Sequence, residues 1–307
     1  MNISALILSV LGLCLFEVVS SLDNAVVNAD VLSTMEKKWR KWFLVWGIFF
    51  SVFLVRGLLP WLIVYLSNSS LGMWGTLTAT FSNDPRVAES LEKSSPILLI
   101  GGGIFLVFLF FHWLFLESKE FSLSLEKFFI RQGAWFFTVV SIFLSLIIWY
   151  ALKINPFMAF AASAGASAFF ITHGFKEYAM RAEMQLKENR NMSDISKLLY
   201  LEVLDATFSI DGVIGAFAFT MSVPIIILGN GLGAMVVREL TIKGVDHIKN
   251  YPYLKNGAMY SIFFLGVIML LDSFGFHVPE FIAPVITFVV VGYFFFKSKP
   301  SKVKSPH

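Results

Sequence analysis

The chain has 307 residues, 57% apolar and 15% charged, with a formal net charge of +3. A soluble domain carries about 25% charged residues, so the composition excludes an ordinary water-soluble globule, and nothing in it points to a nucleic-acid partner. The single cysteine, Cys14, excludes a disulfide framework and a thiolate metal cluster.

Nine apolar segments are expected to cross a bilayer: residues 3–33, 42–66, 97–116, 134–152, 156–173, 195–222, 224–241, 257–274 and 279–296. The first begins at Ile3 with no basic region and no small-residue cleavage site, and is expected to be a retained span. The third carries Gly101-Gly-Gly103, a surface for close helix packing. The fifth is rich in Ala, Gly and Ser and suits packing better than lipid contact. Two connections are long, 67–96 and 174–194, and the second reads as a solvated helical extension.

The basic residues set the topology. If loops alternate between two sides, Lys37, Lys38, Arg40 and Lys41 share a side with Lys119, Lys127 and Arg131. Lys176 to Lys197, Lys243 to Lys255 and the tail lysines fall there too. Only Arg86, Lys93 and Lys153 fall on the other side. The positive-inside rule makes the first side cytoplasmic. The N-terminus is then expected outside and the C-terminus inside.

Two spans share a pattern: Glu17-Val-Val-Ser-Ser21-Leu-Asp23-Asn24 in the first, and Asp205-Ala-Thr-Phe-Ser209-Ile-Asp211-Gly212 in the sixth. In each case the following span carries an arginine, Arg56 or Arg238. An ionisable group at this depth costs about 2.5–3.5 kcal/mol on insertion scales and usually marks a functional site. With nine spans the two copies enter from opposite sides. This predicts an all-α polytopic bundle built as an inverted 4+1+4 repeat. Its parts are 1–152 as first half, 153–194 as linking span and cytoplasmic extension, 195–297 as second half, and 298–307 as a basic tail. Inverted repeats with midplane sites are characteristic of secondary transporters.

At about 100° per residue, Glu17, Ser20, Ser21, Asn24 and Asn28 form one polar stripe, with Asp23 about 120° away. Glu202, Asp205 and Ser209 likewise share a sector that Asp211 leaves. The Ser-Leu-Asp-Asn and Ser-Ile-Asp-Gly strings are candidates for local helix opening. Glu17, Asp23, Asp205 and Asp211 against two arginines leave two negative charges, which a divalent cation would neutralise. The expectation is that Asp23 and Asp211 pair with the arginines while Glu17, Asp205 and Glu202 bind the ion. Oxygen-only ligation suits Mg²⁺, Ca²⁺ or Mn²⁺. The five histidines are scattered and read as interfacial residues.

These residues resemble the TerC (tellurite-resistance) membrane protein family, nearest its DUF475-type branch, within the LysE-type transporter group. The resemblance implies a multi-pass inner-membrane protein of metal-ion homeostasis, with manganese export as the expected activity and no organic cofactor. It places the family's acidic residues on Glu17, Asp23, Glu202, Asp205 and Asp211, supported by Ser21, Asn24, Asn28, Ser209, Arg56 and Arg238. The chain departs from the familiar pattern in following Asp211 with Gly212. The alternatives are a proton-coupled exporter of a small organic solute such as an amino acid, and a non-transporting partner in a membrane stress complex or homo-oligomer. An intramembrane aspartyl protease is a poor match, because its Gly-x-Gly-Asp signature is absent. No enzymatic activity is expected.

Overall fold

The computed structural model describes residues 3–47, 49–50, 56–67, 72–78, 85–119, 121–188, 193–243 and 251–298, and every element among them is helical. In chain order come α1 (Ile3–Ser20), α2 (Leu22–Ser33), α3 (Lys37–Trp42), a π turn (Phe43–Gly47), α4 (Arg56–Ser67), α5 (Gly72–Thr78), α6 (Pro85–Leu116), α7 (Ser124–Ile130) and α8 (Trp135–Leu152). Then come α9 (Pro156–Glu188), α10 (Asp194–Phe208), α11 (Ile210–Ala216), α12 (Val223–Lys243), α13 (Leu254–Ser273) and α14 (Ile282–Lys297).

Six of these helices (α1, α6, α8, α9, α12 and α13) are long and apolar enough to cross a membrane, and α14 is a shorter apolar helix. The protein is a polytopic membrane helix bundle. Its surface agrees: Phe137, Ile142, Leu146 and Trp149 of α8 and Phe157 and Phe160 of α9 are exposed. A soluble monomer rarely leaves so much contiguous apolar surface bare, whereas hydrocarbon covers it at no cost.

Packing contacts fix the relative helix directions. Phe105 and Phe108 meet Phe169, and His112 meets His173, so α6 and α9 run parallel. Phe110 meets Phe263 and Trp113 meets Tyr260, so α6 and α13 run antiparallel. Gly229 packs on Leu13 and Gly233 on Glu17, making α1 and α12 parallel. Asn230 reaches Gly212 while Arg238 reaches Asp205, making α12 antiparallel to α10 and α11. These directions are those of segments that alternate through a bilayer in chain order.

The glycines of α6 act as expected. Gly101 faces the Ala161 carbonyl, and Gly103 faces Leu270 and Gly266. The fifth segment differs in part. Its small residues do pack on α6, but Phe157, Phe160, Phe170 and Ile171 give the helix an apolar outer face as well.

Several boundaries move. The first span is two helices divided at Ser21, and the sixth is two divided at Ser209. Within the second, Phe43–Gly47 forms a π turn, and its described helix α4 covers Arg56–Ser67. The third extends back to Pro85, so much of the expected 67–96 connection is helical. Pro85 sits at the first helical position, where its fixed φ suits the start and no amide partner is lost. The sixth ends at Ala216 rather than at residue 222. The fifth runs on to Glu188, about 50 Å at 1.5 Å per residue against a core of about 30 Å. Its Lys/Glu-rich end therefore projects beyond the span.

Glu126 anchors the connection after α6. It is wholly buried, accepts the Leu123 amide at 2.9 Å, and accepts the Asn256 side-chain amide at 2.8 and 3.0 Å. Periodicity gave no warning of it, since a lone acid in a short amphipathic helix reads as solvated. Asp272 accepts the Val278 amide at 2.8 Å.

Candidate carboxylate–arginine site

The two duplicated strings lie against each other. At both, a serine interrupts the helix with similar dihedrals: φ −94°, ψ 4° at Ser21 and φ −77°, ψ −13° at Ser209. The serines' own backbone bonds continue across each break. Ser21 N–H donates to the Glu17 carbonyl at 3.1 Å and Ala25 N–H to the Ser21 carbonyl at 2.9 Å. Ser209 N–H and Val213 N–H repeat the pair at 3.0 Å each, onto Asp205 and Ser209. The hydroxyls are used locally: Ser21 Oγ donates to Glu17 Oε1 at 2.9 Å, and Ser209 Oγ to the Asp205 carbonyl at 2.5 Å.

Five buried charges form one chain. Arg56 donates from Nη2 and Nε to Glu17 Oε1, at 2.5 and 3.0 Å. Its Nη1 lies 3.7 Å from Asp205 Oδ2. Arg238 Nη2 approaches the same Asp205 oxygen at 3.2 Å and Glu202 Oε2 at 3.5 Å. Arg238 also donates to the Phe43 carbonyl at 2.6 Å, with its guanidinium 4.1 Å from the Phe43 ring centre. The order is thus Glu17, Arg56, Asp205, Arg238, Glu202. Asp205 joins Arg56 to Arg238. Glu17 is 0% exposed and Arg56 2%. Charges so deep persist only when paired and hydrogen-bonded.

The expected division of labour is corrected here. Glu17 pairs with Arg56 rather than standing as an arginine-free ligand. Asp211 pairs with Lys176 of α9 and not with an arginine. The sequence places Lys176 in a cytoplasmic loop; the continuation of α9 brings it to the site instead. The side chains of Asp23 and Asn24 lie outside the described residues. Asn28 is buried, with Oδ1 lacking a hydrogen-bond partner among the described residues. Three carboxylates against two guanidiniums leave the five-membered chain with one formal negative charge, and the Asp211–Lys176 pair is neutral.

Glycines let the carboxylates in. A Cβ on Gly212 would stand 2.6 Å from Glu17 Oε2, and one on Gly233 would stand 2.5 Å from Glu17 Cβ. The glycine after Asp211, a departure in the motif, thus makes room for the acid of the other half. Several buried acceptors on these elements have no hydrogen-bond donor among the described residues: Glu17 Oε2, both oxygens of Glu202, Asp211 Oδ1, and Asn230 Oδ1. Lone pairs of this kind are costly unless something electropositive meets them.

A family model described as "Protein of unknown function (DUF475)" matches residues 22–303. The chain belongs to the DUF475 family. A "UPF0053 protein" of Haemophilus influenzae (strain ATCC 51907 / DSM 11121 / KW20 / Rd) is 27% identical to this DUF475 protein over 106 residues. That match covers 34% of this chain and 45% of the relative, so the chain spans less than half of the relative's length. No solved structure matches.

The lysine contact makes a direct prediction for this DUF475 protein. Lys176→Met strands Asp211 half-buried and is expected to destabilise by about 1.5–3 kcal/mol. Adding Asp211→Asn is expected to recover most of the loss. Thermal unfolding of both variants in detergent checks it, and equal melting of Lys176→Met and wild type would show that the pair carries no stability.

Proposed function

We propose that the protein is a transporter, and specifically an exporter, of a divalent metal cation, with manganese the first candidate substrate. The supporting observation is the buried chain of duplicated acids and arginines. It joins the two duplicated strings, leaves one formal negative charge among the described residues, and exposes no oxygen of Glu17 or Glu202. In the described arrangement the guanidiniums occupy the carboxylates. A cation entering between α1, α10 and α12 would replace an arginine at Glu17 or Glu202, using the donor-free oxygens as ligands. Oxygen-only donors of this kind suit Mn²⁺, Mg²⁺ or Ca²⁺. Exchange of arginine for metal ties loading to helix rearrangement, the requirement of alternating access. The opposed directions of α1 and α10–α11 support two inverted halves, with the basic loops and C-terminus on the cytoplasmic side of a bacterial-type inner membrane. The resemblance to TerC and LysE-type proteins gives the direction of export. Asp205 and Asp211, each engaged by cationic side chains, are unsuited to the shared-proton dyad of an aspartyl protease.

Purified protein in proteoliposomes is expected to move Mn²⁺ in preference to Mg²⁺ and Ca²⁺. Asp205→Asn is expected to reduce flux to the protein-free level, because it removes the anion common to both arginines. Counterflow of amino acids with no metal flux would replace this reading with solute export. Absence of any flux from well-folded protein would leave the stress-complex scaffold.

A further inference from the structure

Away from the arginine chain, two histidines separated by sixty residues come together where α6 and α9 run side by side. The imidazole centres of His112 and His173 are 3.7 Å apart. Glu177, one turn beyond His173, places Oε1 3.5 Å from His173 Nε2. One ligand atom from each of His112, His173 and Glu177 lies within 4.8 Å of the other two. Among the described residues this is the one such convergence of three ligating side chains. In a tetrahedral zinc-type site with bonds of about 2.0–2.1 Å, ligand atoms stand roughly 3.3 Å apart. The His173–Glu177 edge is already near that length, and small side-chain rotations would close the others.

The surroundings fit a ligand site better than a packing accident. His173 Nε2 is buried and has no hydrogen-bond partner among the described residues. Two rings hold the imidazoles: His173 stacks on Phe169 at 5.7 Å and 13°, and His112 meets the edge of Phe136 at 5.5 Å. The Glu177 side chain is 54% exposed, so the cluster opens to the surface of the bundle. The neighbouring cation, Lys176, is held by Asp211.

We propose that His112, His173 and Glu177 form a second metal site, selective for a borderline divalent transition-metal ion such as Zn²⁺, Co²⁺ or Ni²⁺. Two imidazoles with one carboxylate favour these ions over Mg²⁺ or Ca²⁺. Three protein ligands leave the fourth position to water, the pattern of an exchangeable rather than a sealed site. The site lies at the end of α6 that leads to the basic connections, on the rim above Asp211. It is distinct in donor chemistry from the carboxylate–arginine chain, and it stands whether or not that chain transports.

Co²⁺ titration of the full chain in detergent tests the proposal, read by visible absorption and by equilibrium dialysis. Wild type is expected to bind Co²⁺ with the intense d–d bands of a four-coordinate site bearing nitrogen ligands, and Zn²⁺ should displace them. H112Q/H173Q should lose those bands and one bound equivalent. E177Q, on the exposed rim where folding is insensitive, should weaken binding about tenfold or more. Co²⁺ binding by E177Q with wild-type affinity and spectrum overturns the proposal, even if the double-histidine variant fails to fold. So does a wild-type spectrum showing only the weak bands of six-coordinate oxygen ligation.

Discussion

Arg56→Leu is expected to destabilise the protein by about 3–5 kcal/mol, the scale of breaking a buried pair from one side. The substitution removes the two hydrogen bonds to Glu17 Oε1. It leaves a carboxylate that is 0% exposed with Ser21 Oγ as its remaining donor among the described residues. The size of the effect comes from the stranded anion more than from the lost bonds. Arg56→Leu combined with Glu17→Leu should therefore recover most of the stability, since an apolar pair replaces the ionic one. Arg56→Lys should fall between, because an ammonium cannot span Glu17 and Asp205 as a planar fork does. Thermal unfolding in a fixed detergent checks the series. If the double variant is no more stable than Arg56→Leu, Glu17 is not the group stranded.

Gly165→Leu is expected to be as damaging for a different reason. A Cβ at Gly165 would lie 2.7 Å from the Gly101 carbonyl carbon and 2.8 Å from its Cα, and closer still to the carbonyl oxygen. These are backbone atoms, so no rotamer change relieves the clash, and α6 and α9 must part. Overpacking typically costs about 1–3 kcal/mol, occasionally more. Here the cost should reach the upper end, because helices in a membrane gain their attraction from close backbone approach. Gly174 on the same helix meets nothing within 4 Å. Gly174→Ala should be neutral or stabilising by up to about 1 kcal/mol through helix propensity. Comparable melting of the two variants would refute the idea that this contact holds the pair.

What the sequence made legible follows from the cost of placing polar groups among apolar ones. Glu17, Asp205, Arg56 and Arg238 stood out because hydrocarbon-length segments contain so few charges. Ser21 and Ser209 marked the helix interruptions because their strings repeat. Alternation of direction followed from where the lysines fall. The pairing did not follow. Which acid an arginine meets depends on helix rotation and depth, and Gly47, Gly212 and Gly233 set these by close approach. Lys176 escaped because apolar periodicity fades after residue 173, while the helix continues through residues such as Lys176 and Glu177, whose helix propensity is high. His112 and His173 escaped for a related reason. Spacing along one helix cannot reveal a pair made by two parallel ones, although placing both histidines at the same end of spans three and five was a usable signal.

Asp205 presents one oxygen, Oδ2, toward both arginines, 3.7 Å from Arg56 and 3.2 Å from Arg238. A single atom cannot follow two departing partners. If α4 and α12 separate by more than about the length of a hydrogen bond, Asp205 must stay with one and break from the other. In the proposed transport cycle the cluster would act as a mechanical latch with a shared pin, resisting gradual drift and favouring a step from one engaged position to the next.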